Sequence, residues 1–363
     1  MAGSRIVRFT GPRQVDVVAG AVEDCPPGTV RVRTLYSGIS AGTELTAYRG
    51  SNAYLTKGWD ADQRLFVPEH PSVSYPLSGW GYSEVGRVVE IGGSGGSAGS
   101  ATGTVSVGDV VYGVWGHRSE AVVPAAGLAA HTLPPDLEPV AGVFVRVGAI
   151  ALNALLAADL HVSESVVVMG QGVIGLLATR LAVLSGATVL AVDRIERRRA
   201  AARHFGAAHT VDPTSGRDVA GQVRALTGAG ADAAIELSGA YPALHEAIRS
   251  VQPGGRVVAA GFYQGPATGL DLGEEFHHNR VSVVASQIGG LPTALTHRWD
   301  VARLHRAFLD LVVAGRVDVA FLVSHVVPVS EAASAYRLLD EDPSAALQVV
   351  LDFRDTAGED WPT

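Results

Sequence analysis

The sequence predicts an α/β protein in which a β-rich first domain is followed by a doubly wound, six-stranded parallel sheet. From residue 166 onward, apolar runs alternate with helical stretches six times, which is typical of a parallel sheet with helices on both faces. Residues 1–146 instead contain short valine-rich runs separated by Gly, Pro and Ser turns, and these predict an all-β or barrel-like domain. The length of 363 residues exceeds one typical core and fits two domains.

The individual elements follow from the positions of the apolar runs. The strands predicted in the first part are 30–34, 85–91, 105–111 and 120–123. The strands predicted in the second part are 166–169, 188–192, 208–212, 233–237, 256–260 and 281–286. A helix near 299–313 and two short strands, 321–327 and 347–352, are then expected to return to the first domain. Residues 92–103 are low in complexity and predict a mobile surface loop.

Composition and charge argue against several classes of function. The net charge is −8 and no long basic stretch is present, so nucleic-acid binding is not expected. The N-terminal segment has no apolar signal core, and the apolar stretch from residue 166 is interrupted by glycines and Arg180, so we expect a cytoplasmic protein without a membrane partner. Five arginines are expected to form one solvated helix face, namely Arg194, Arg197, Arg198, Arg199 and Arg203.

Residues 166–193 carry a dinucleotide-binding pattern. An apolar strand is followed by Gly170, Gly172 and Gly175 in the spacing G-x-G-x-x-G, then by a stretch with helical apolar periodicity, and finally by Asp193 at the end of a second apolar run. Gly170 permits a tight turn, Gly172 lets backbone N–H groups approach a pyrophosphate, and Gly175 lets the helix pack closely on the strand. A buried glycine turn with a capping aspartate and no cofactor is the alternative.

The same pattern assigns residues to the parts of the cofactor. Gln171, Val173 and Ile174 complete the glycine loop and the first helical turn, where the pyrophosphate would bind. Asp193 would accept hydrogen bonds from the adenosine ribose hydroxyls, and its charge would repel a 2′-phosphate. NAD is therefore expected rather than NADP. Arg194, the next residue, could instead turn toward a 2′-phosphate.

The chain resembles the medium-chain dehydrogenase/reductase superfamily over almost its whole length. Besides the glycine motif, the similarity is carried by four phrases, EVGRVVEIG (84–92), VGDVVYG (107–113), SEAVVP (119–124) and QPGGRVVAAGFY (252–263). The resemblance implies a GroES-like catalytic domain at 1–146, completed by 290–363. It also implies a Rossmann NAD-binding domain at 147–289 and an active site in the cleft between the two domains.

The positions at which zinc members of that superfamily hold their metal carry other residues here. Ser40 stands at the cysteine ligand position in the phrase GISAGTE, with one extra residue before Thr43, and Tyr82 replaces the histidine of the family's G-H-E segment. The third ligand position falls near Arg146, and a guanidinium cannot bind zinc. We therefore expect no metal. The phrases SGISAGTEL and YPLSGWGYSEVGRVVEIG are similar to the zinc-free branch that contains bacteriochlorophyllide hydroxyethyl dehydrogenase and dehydrogenases of cyclitol or secondary-metabolite pathways.

The resemblance also implies the residues that manage the reacting oxygen. Thr43 matches the Ser/Thr that contacts this oxygen and starts a proton relay, and Tyr82 replaces a ligand that faces the same place. Arg146 could supply the positive field that a tyrosine needs to ionise near neutral pH, and Ser40 is a further donor. The alternatives are that Tyr82 only fills a vacated metal cavity and that Arg146 forms a structural ion pair.

The nicotinamide end of the cofactor is carried by the resemblance onto the ends of the later strands. The residues implied are Ser238, the backbone of Ala260, Gly261 and Phe262, and Ser286 with Gln287. Glu236 and Ser238 could instead be satisfied polar groups at a strand end.

Together these features predict an NAD-dependent, zinc-independent oxidoreductase that interconverts a secondary alcohol and a ketone on a bulky polar metabolite. One alternative is an enoyl or quinone reductase, although Asp193 disfavours the NADPH that such enzymes usually prefer. Another is a non-catalytic nucleotide-binding protein that kept the fold. The resemblance further implies a homo-oligomer, a dimer or a tetramer, paired through the edge strand at 281–286.

Overall fold

The fold was analysed in a computed structural model that describes residues 4–21, 23–68, 70–93 and 105–354. The chain divides into two compact units, and the division falls within one helix. The first unit comprises Met1–Arg146 and Val319–Thr363, and the second comprises Val147–Asp318. Most of the predicted loop at 92–103, from residue 94 onward, lies outside the described residues.

Eight α-helices are described. In chain order they are α1 (Thr43–Arg49), α2 (Phe144–Ala158), α3 (Val173–Leu184), α4 (Glu196–His204), α5 (Val219–Thr227), α6 (Tyr241–Ser250), α7 (Val301–Val313) and α8 (Ala332–Glu341).

The described strands are numbered in the same way. They are β1 (Ser4–Gly11), β2 (Gln14–Gly20), β3 (Thr29–Gly38), β4 (Gly58–Asp60), β5 (Leu65–Val67), β6 (Leu77–Ser78), β7 (Glu84–Ile91), β8 (Val110–Gly113), β9 (Glu120–Pro124), β10 (Ser165–Met169), β11 (Thr188–Val192), β12 (His209–Val211), β13 (Ala231–Glu236), β14 (Val251–Ala259), β15 (Ser282–Ala285), β16 (Val323–Pro328) and β17 (Gln348–Asp352).

The first unit is built around one mixed sheet. Its strands lie in the order β16-β17-β3-β7-β8, with β9 also paired to β3. The C-terminal strand β17 runs antiparallel to β3, so the end of the chain completes the sheet that the N-terminal part begins. A second sheet, β2-β1-β6, and the hairpin β4-β5 complete the strands of this unit. One difference from the sequence prediction is that the strand expected at 105–111 begins only at Val110, because Ser106 and Asp109 form a hydrogen-bonded turn.

Three aromatic rings lie at the centre of one core of the first unit. The ring of Tyr336, on α8, meets Phe9 edge-on at a centroid distance of 5.0 Å and stacks on Tyr48 at 5.6 Å. Burial of such rings is a major contribution to stability, and their geometry fixes where the tyrosine hydroxyl points. Tyr336 is fully buried, so its hydroxyl needs a partner inside the unit.

The second unit contains the predicted doubly wound sheet. Its strands are all parallel and lie in the order β12-β11-β10-β13-β14-β15, which is the strand order of dinucleotide-binding sheets. All six predicted strands are present, with ends shifted by a few residues. The predicted sheet is therefore confirmed.

The segment 290–318, which the resemblance placed with the catalytic domain, is part of the second unit. The reason is the packing of α7 on α2. Phe308 of α7 is fully buried, and its ring lies so close to Gly148 that a Cβ atom there would be 2.3 Å from it. The absence of a side chain at position 148 thus lets α7 pack on the same unit as the sheet.

Two further observations concern helices. The predicted solvated arginine face is wrong for Arg199, which is 8% exposed and donates hydrogen bonds to the Asp193 carbonyl oxygen (2.7 Å) and to Glu196 (3.0 Å). The stretch Pro139–Ala158 is long and apolar enough to span a membrane, but 72% of its most apolar window is buried inside the protein. A core helix of a globular domain has these properties.

Candidate active site

A cluster of hydroxyl groups forms where β3 ends and β7 begins. These strands are antiparallel and in register at Ser37 and Glu84, and the Gly38 amide donates to the Ser83 carbonyl oxygen at 2.9 Å. Residues that follow β3 are thereby placed beside residues that precede β7. The Ser40 hydroxyl is hydrogen-bonded to the Tyr82 hydroxyl.

Thr43, at the first position of α1, and Arg146, on α2, complete this cluster. Thr43 lowers the pKa of Tyr82 as a nearby hydrogen-bonding group, and the guanidinium carbon of Arg146 lies 5.6 Å from the centre of the Tyr82 ring. The structure therefore brings together all four residues that the sequence analysis assigned to the reacting oxygen.

The Tyr82 hydroxyl keeps its proton at neutral pH. Burial raises the pKa of Tyr82 above its ordinary value, and it outweighs the opposite effects of the hydrogen bonds from Ser40 and Thr43 and of the Arg146 charge. The sequence suggested that Arg146 could ionise this tyrosine near neutral pH, but the effect of burial on the pKa is larger than the effect of the Arg146 charge. The cluster instead presents a neutral hydroxyl that can donate a hydrogen bond or a proton.

Beneath the hydroxyl cluster lies a buried carboxylate that sequence reasoning did not single out. Glu44 has no exposed surface. Its Oε1 accepts a hydrogen bond from the Ser40 amide at 2.9 Å, and its Oε2 accepts from His117 Nε2 at 2.7 Å and from the Tyr336 hydroxyl at 2.6 Å. A buried carboxylate is stable only with such partners, so these contacts fix the backbone at Ser40.

A second buried carboxylate, Glu84, lies on the other side of His117. Its Oε1 accepts from the Ser37 hydroxyl at 3.1 Å, its Oε2 accepts from the Trp115 amide at 2.9 Å, and the Ser37 oxygen lies 2.6 Å from His117 Nδ1. Because a serine hydroxyl has only one proton, a Ser37 that donates to Glu84 must accept from His117. His117 then donates from both ring nitrogens and is an imidazolium.

The charges around His117 favour the same protonation state. Burial by itself lowers the pKa of His117, but the attraction and hydrogen bond of Glu44, with the charge of Glu84, outweigh it and raise the pKa above its ordinary value. Burial raises the pKa of Glu84, and the His117 charge and the hydrogen bonds from Trp115 and Ser37 act against this rise. The sequence signal that could have indicated this buried cluster is Glu84, an acidic residue at the start of a core strand whose burial it shares.

In the second unit, the strand register aligns the residues that sequence analysis assigned to the cofactor. One row across the carboxyl ends of five parallel strands contains Val192, Met169, Glu236, Ala259 and Ala285. The predicted cofactor residues follow directly after this row, at the edge of the sheet where parallel α/β sheets bind ligands.

The glycine loop has the geometry that a pyrophosphate needs. Gly170 has a φ of 86°, which is favourable only for glycine, and a Cβ on Gly175 would lie 1.8 Å from the Gly170 carbonyl oxygen. A Cβ on Gly172 would meet no described atom within 4 Å, and no described side chain caps the start of α3 there. The first amides of α3, which include those of Val173 and Ile174, have no partner within the helix and are available to an anion.

Asp193 supports this loop through its side chain. One carboxylate oxygen accepts from the Gln171 amide at 2.7 Å, and the other accepts from the Ile195 amide at 2.8 Å. The carboxylate is buried, and Arg198 Nη1 lies 4.0 Å from it. Arg194 is exposed. Asp193 thus holds the glycine loop in addition to any contact with a ribose.

The ends of β13 and β14 are joined by hydrogen bonds to Glu236. Its carboxylate accepts from the Ser238 amide at 2.7 Å, from the Ser238 hydroxyl, and from the Tyr263 hydroxyl at 2.5 Å. Its carbonyl oxygen accepts from the amides of Ala260 and Gly261. The side chain of Phe262 is 42% exposed beside them. Burial raises the pKa of Glu236 above its ordinary value.

After β15, Ser286 and Gln287 begin a short loop. The Ser286 amide donates to the Ala259 carbonyl oxygen at 3.1 Å, and the Gln287 side chain accepts from the Gly289 amide at 2.6 Å. The amide nitrogen of Asn153, on α2, donates to the carbonyl oxygens of this loop. Sequence reasoning did not assign Asn153, although it is the only polar residue of α2 besides Arg146.

Ser40, Tyr82 and Arg146, which the resemblance aligns with the superfamily's zinc ligands, do not fit a zinc ion. Two hydroxyl groups and a guanidinium replace the thiolate and imidazole donors that zinc prefers, and a guanidinium cannot coordinate a cation. Among the described residues, the one group of three side chains with metal-ligating spacing is His245, Asp271 and Glu274, which is largely exposed and lies in the second unit. The donors present at positions 40, 82 and 146 are therefore unsuited to a catalytic zinc ion.

Comparison with known proteins shows that the chain is an oxidoreductase whose relatives are named as dehydrogenases. A family model described as zinc-binding dehydrogenase matches residues 173–303, a range without the positions 40, 82 and 146. D-guloside 3-dehydrogenase of Shigella flexneri is 28% identical over 353 residues, which cover 95% of this chain and 98% of the relative. The 2-desacetyl-2-hydroxyethyl bacteriochlorophyllide A dehydrogenase of Cereibacter sphaeroides is 27% identical over 361 residues. The aligned region covers 97% of this chain and 98% of the relative.

Solved structures share the fold over nearly the whole chain. A Sinorhizobium meliloti protein described as a zinc-binding dehydrogenase, bound to NADP, has a TM-score of 0.74 at 21% identity and covers 97% of this chain and 100% of its own. An alcohol dehydrogenase from Escherichia coli in complex with NADH has a TM-score of 0.73 at 20% identity and covers 96% of this chain and 99% of its own. The interpretation as a non-catalytic protein does not agree with these dehydrogenase relatives.

Replacement of His117 by leucine should strongly destabilise the first unit. His117→Leu leaves Glu44 and Glu84 buried without a cation, and breaking a buried ion pair costs about 3–5 kcal/mol in free energy of unfolding. Urea unfolding at pH 7 measures this loss. The matched control is His161→Leu, because the His161 side chain is 74% exposed and its loss should cost about 0.5 kcal/mol or less.

The pH dependence has a defined sign. The folded-state pKa of His117 is raised, so its contribution to stability is fully present below the unfolded-state pKa and is lost as pH rises through the folded-state pKa. The urea concentration at the unfolding midpoint of the wild-type protein should therefore decrease as the pH is raised above the ordinary pKa of histidine. Equal stability of the two leucine variants would contradict the imidazolium assignment.

Proposed function

We propose that this oxidoreductase, which has the fold of the medium-chain dehydrogenase/reductase superfamily, uses NAD to interconvert a secondary alcohol and a ketone on a bulky polar metabolite without zinc. The observation that carries the proposal is the hydroxyl cluster of Ser40, Thr43 and Tyr82, in which Ser40 and Tyr82 are hydrogen-bonded and are the residues that the resemblance aligns with metal ligands of zinc members. The substrates that appear in the names of the two full-length relatives, a guloside and a bacteriochlorophyllide, support a bulky polar substrate.

The second unit supplies the cofactor site in this proposal. The open glycine loop and the amides at the start of α3 receive the pyrophosphate, and the strand ends from Ser238 to Gln287 receive the nicotinamide end. The nicotinamide ring, when bound, supplies the hydride acceptor or donor. All other steps belong to the chain itself.

Tyr82 handles the proton on the substrate oxygen. Its hydroxyl oxygen can accept hydrogen bonds from Ser40 and Thr43, which leaves its own proton available for the substrate. In ketone reduction, Tyr82 gives this proton to the oxygen on which negative charge develops. The phenolate that results is stabilised by the two hydroxyl donors and by Arg146, and in alcohol oxidation it takes the proton back.

The proposed enzyme is cytoplasmic and forms a homo-oligomer, a dimer or a tetramer. The edge of the second sheet supports self-association. Strand β15 pairs with β14 on one side and is the last strand of the described sheet, and Val283 is 37% exposed there. No nucleic-acid or membrane partner is proposed.

Removal of the Tyr82 hydroxyl should lower turnover without weakening cofactor binding. Tyr82→Phe keeps the ring and its packing but deletes the donor, and loss of one such donor costs about 100-fold in kcat. Steady-state kinetics with a sugar-like alcohol measure kcat, and fluorescence titration with NADH measures affinity. The control is Tyr75→Phe, because the Tyr75 hydroxyl is bonded to the Ala47 carbonyl rather than to the cluster.

The same enzyme should show opposite pH trends in the two directions. Because the pKa of Tyr82 is raised, kcat/KM for alcohol oxidation should rise with pH above neutrality, and kcat/KM for ketone reduction should fall. Near-normal kcat in Tyr82→Phe would show that the tyrosine is a cavity filler.

The purified protein should contain no stoichiometric zinc. The reason is the donor set at positions 40, 82 and 146, which offers no thiolate or imidazole. Elemental analysis after dialysis and activity after chelator treatment provide the measurements. One zinc per chain, together with loss of activity to the chelator, would refute the metal-free mechanism.

Asp193 should make NAD bind at least tenfold more tightly than NADP. Two negative unit charges about 4 Å apart, one on the carboxylate and one on a 2′-phosphate, have a repulsive energy of about 1 kcal/mol in water and about 4 kcal/mol at an effective dielectric of 20. The informative variant is Asp193→Asn, which removes the charge while its side-chain oxygen can still accept from one of the two backbone amides, Gln171 or Ile195, that donate to the carboxylate. The affinity ratio measured by calorimetry should narrow in this variant. An unchanged ratio would assign cofactor choice to other residues.

A further inference from the structure

The side chain of Asn153 is an unusual feature of α2. This helix is apolar along its length except for Arg146 and Asn153, which are seven residues apart and so lie on the same helix face. Asn153 is 1% exposed. A fully buried amide in an apolar helix requires hydrogen-bond partners for both of its ends.

The orientation of this amide is fixed by the loop that follows β15. Its Nδ2 donates to the carbonyl oxygens of Gly290 at 3.0 Å and of Gln287 at 3.3 Å, and it lies 3.4 Å from the Ser286 hydroxyl. The opposite orientation would place Oδ1 against two carbonyl oxygens, so the nitrogen must face the loop. The oxygen then points elsewhere.

Asn153 Oδ1 has no hydrogen-bond partner among the described residues, although it is buried. Leaving a buried acceptor unpaired costs free energy, so a donor from outside the described residues is expected at this atom. Asn153 is also held against the carboxyl end of β15, where the Ser286 amide joins β14 through the Ala259 carbonyl oxygen. This is the sheet edge at which α/β proteins bind ligands.

We propose that Asn153 Oδ1 accepts a hydrogen bond from the carboxamide NH₂ group of the nicotinamide ring. Asn153 would thereby recognise the carboxamide and hold the loop 286–290 with the same side chain. The inference rests on the proposed function, because it assumes that the strand ends of the second unit receive the nicotinamide. A primary amide fits the site because its N–H groups supply the donor that Oδ1 lacks.

The test combines a protein variant with a cofactor analogue. Asn153→Leu has a similar volume and removes the acceptor, and the 3-acetylpyridine analogue of NAD replaces the carboxamide NH₂ by a methyl group. Calorimetry with NAD, the analogue and ADP-ribose is carried out on both proteins. Asn153→Ser, which leaves room but cannot reach as far, serves as a second variant if the leucine protein does not fold.

The wild-type protein should bind NAD about tenfold more tightly than the analogue, whereas the variant should bind the two within about twofold of each other. ADP-ribose, which lacks the nicotinamide, should bind both proteins equally. The same NAD-to-analogue ratio in wild type and variant would overturn the inference. Weaker ADP-ribose binding by the variant would also overturn the inference, because Asn153 would then affect binding of the ADP-ribose part of the cofactor and not only of the nicotinamide. Failure of wild-type protein to bind either NAD or ADP-ribose would instead refute the proposed function.

Discussion

Two fully buried carboxylates, Glu44 and Glu84, lie on either side of the His117 imidazole. Several segments of the first unit supply the hydrogen-bond donors that these carboxylates need. Each buried charge would cost several kcal/mol without partners. The partners come from β3, from the segment before β9 and from α8, so the same hydrogen bonds join the N-terminal and C-terminal parts of the chain. The hydroxyl cluster inherits its geometry from this arrangement, because Glu44 holds the Ser40 amide.

The residues that the resemblance aligns with metal ligands differ in chemistry from zinc ligands. A zinc ion needs anionic or imidazole donors at tetrahedral positions, whereas neutral hydroxyls need only donors and acceptors in line. The fully buried ionisable side chains Glu44, Glu84 and His117 instead pair with one another. Burial raises the pKa of Tyr82, so its hydroxyl is neutral beside the Arg146 guanidinium.

In the second unit, two loops at the carboxyl edge of the sheet are held in place by buried side chains. The glycine loop leaves the amides of α3 open, and Asp193 restrains the loop through the Gln171 amide. At the other side of the sheet, Asn153 restrains the loop after β15 in the same manner, through carbonyl oxygens instead of an amide. Both restraints come from a buried polar or charged side chain that is hydrogen-bonded to the backbone of a loop.

The sequence alone determined the features that depend on local periodicity. The alternation from residue 166 specified the parallel sheet, and the G-x-G-x-x-G spacing specified the loop with positive φ at Gly170, because only short-range sterics are involved. The resemblance carried by the phrases around Ser40 and Tyr82 also pointed to these two residues as neighbours, and their hydroxyls are hydrogen-bonded in the structure.

Tertiary structure decided what depends on contacts between distant residues. His117 lies 73 residues from Glu44, and Tyr336 lies 292 residues from it, so no spacing in the sequence relates them. The raised pKa of Tyr82, the burial of Arg199 and the packing of α7 on Gly148 likewise arise from desolvation and close packing. These effects are set by neighbours in space, whereas sequence patterns report only neighbours along the chain.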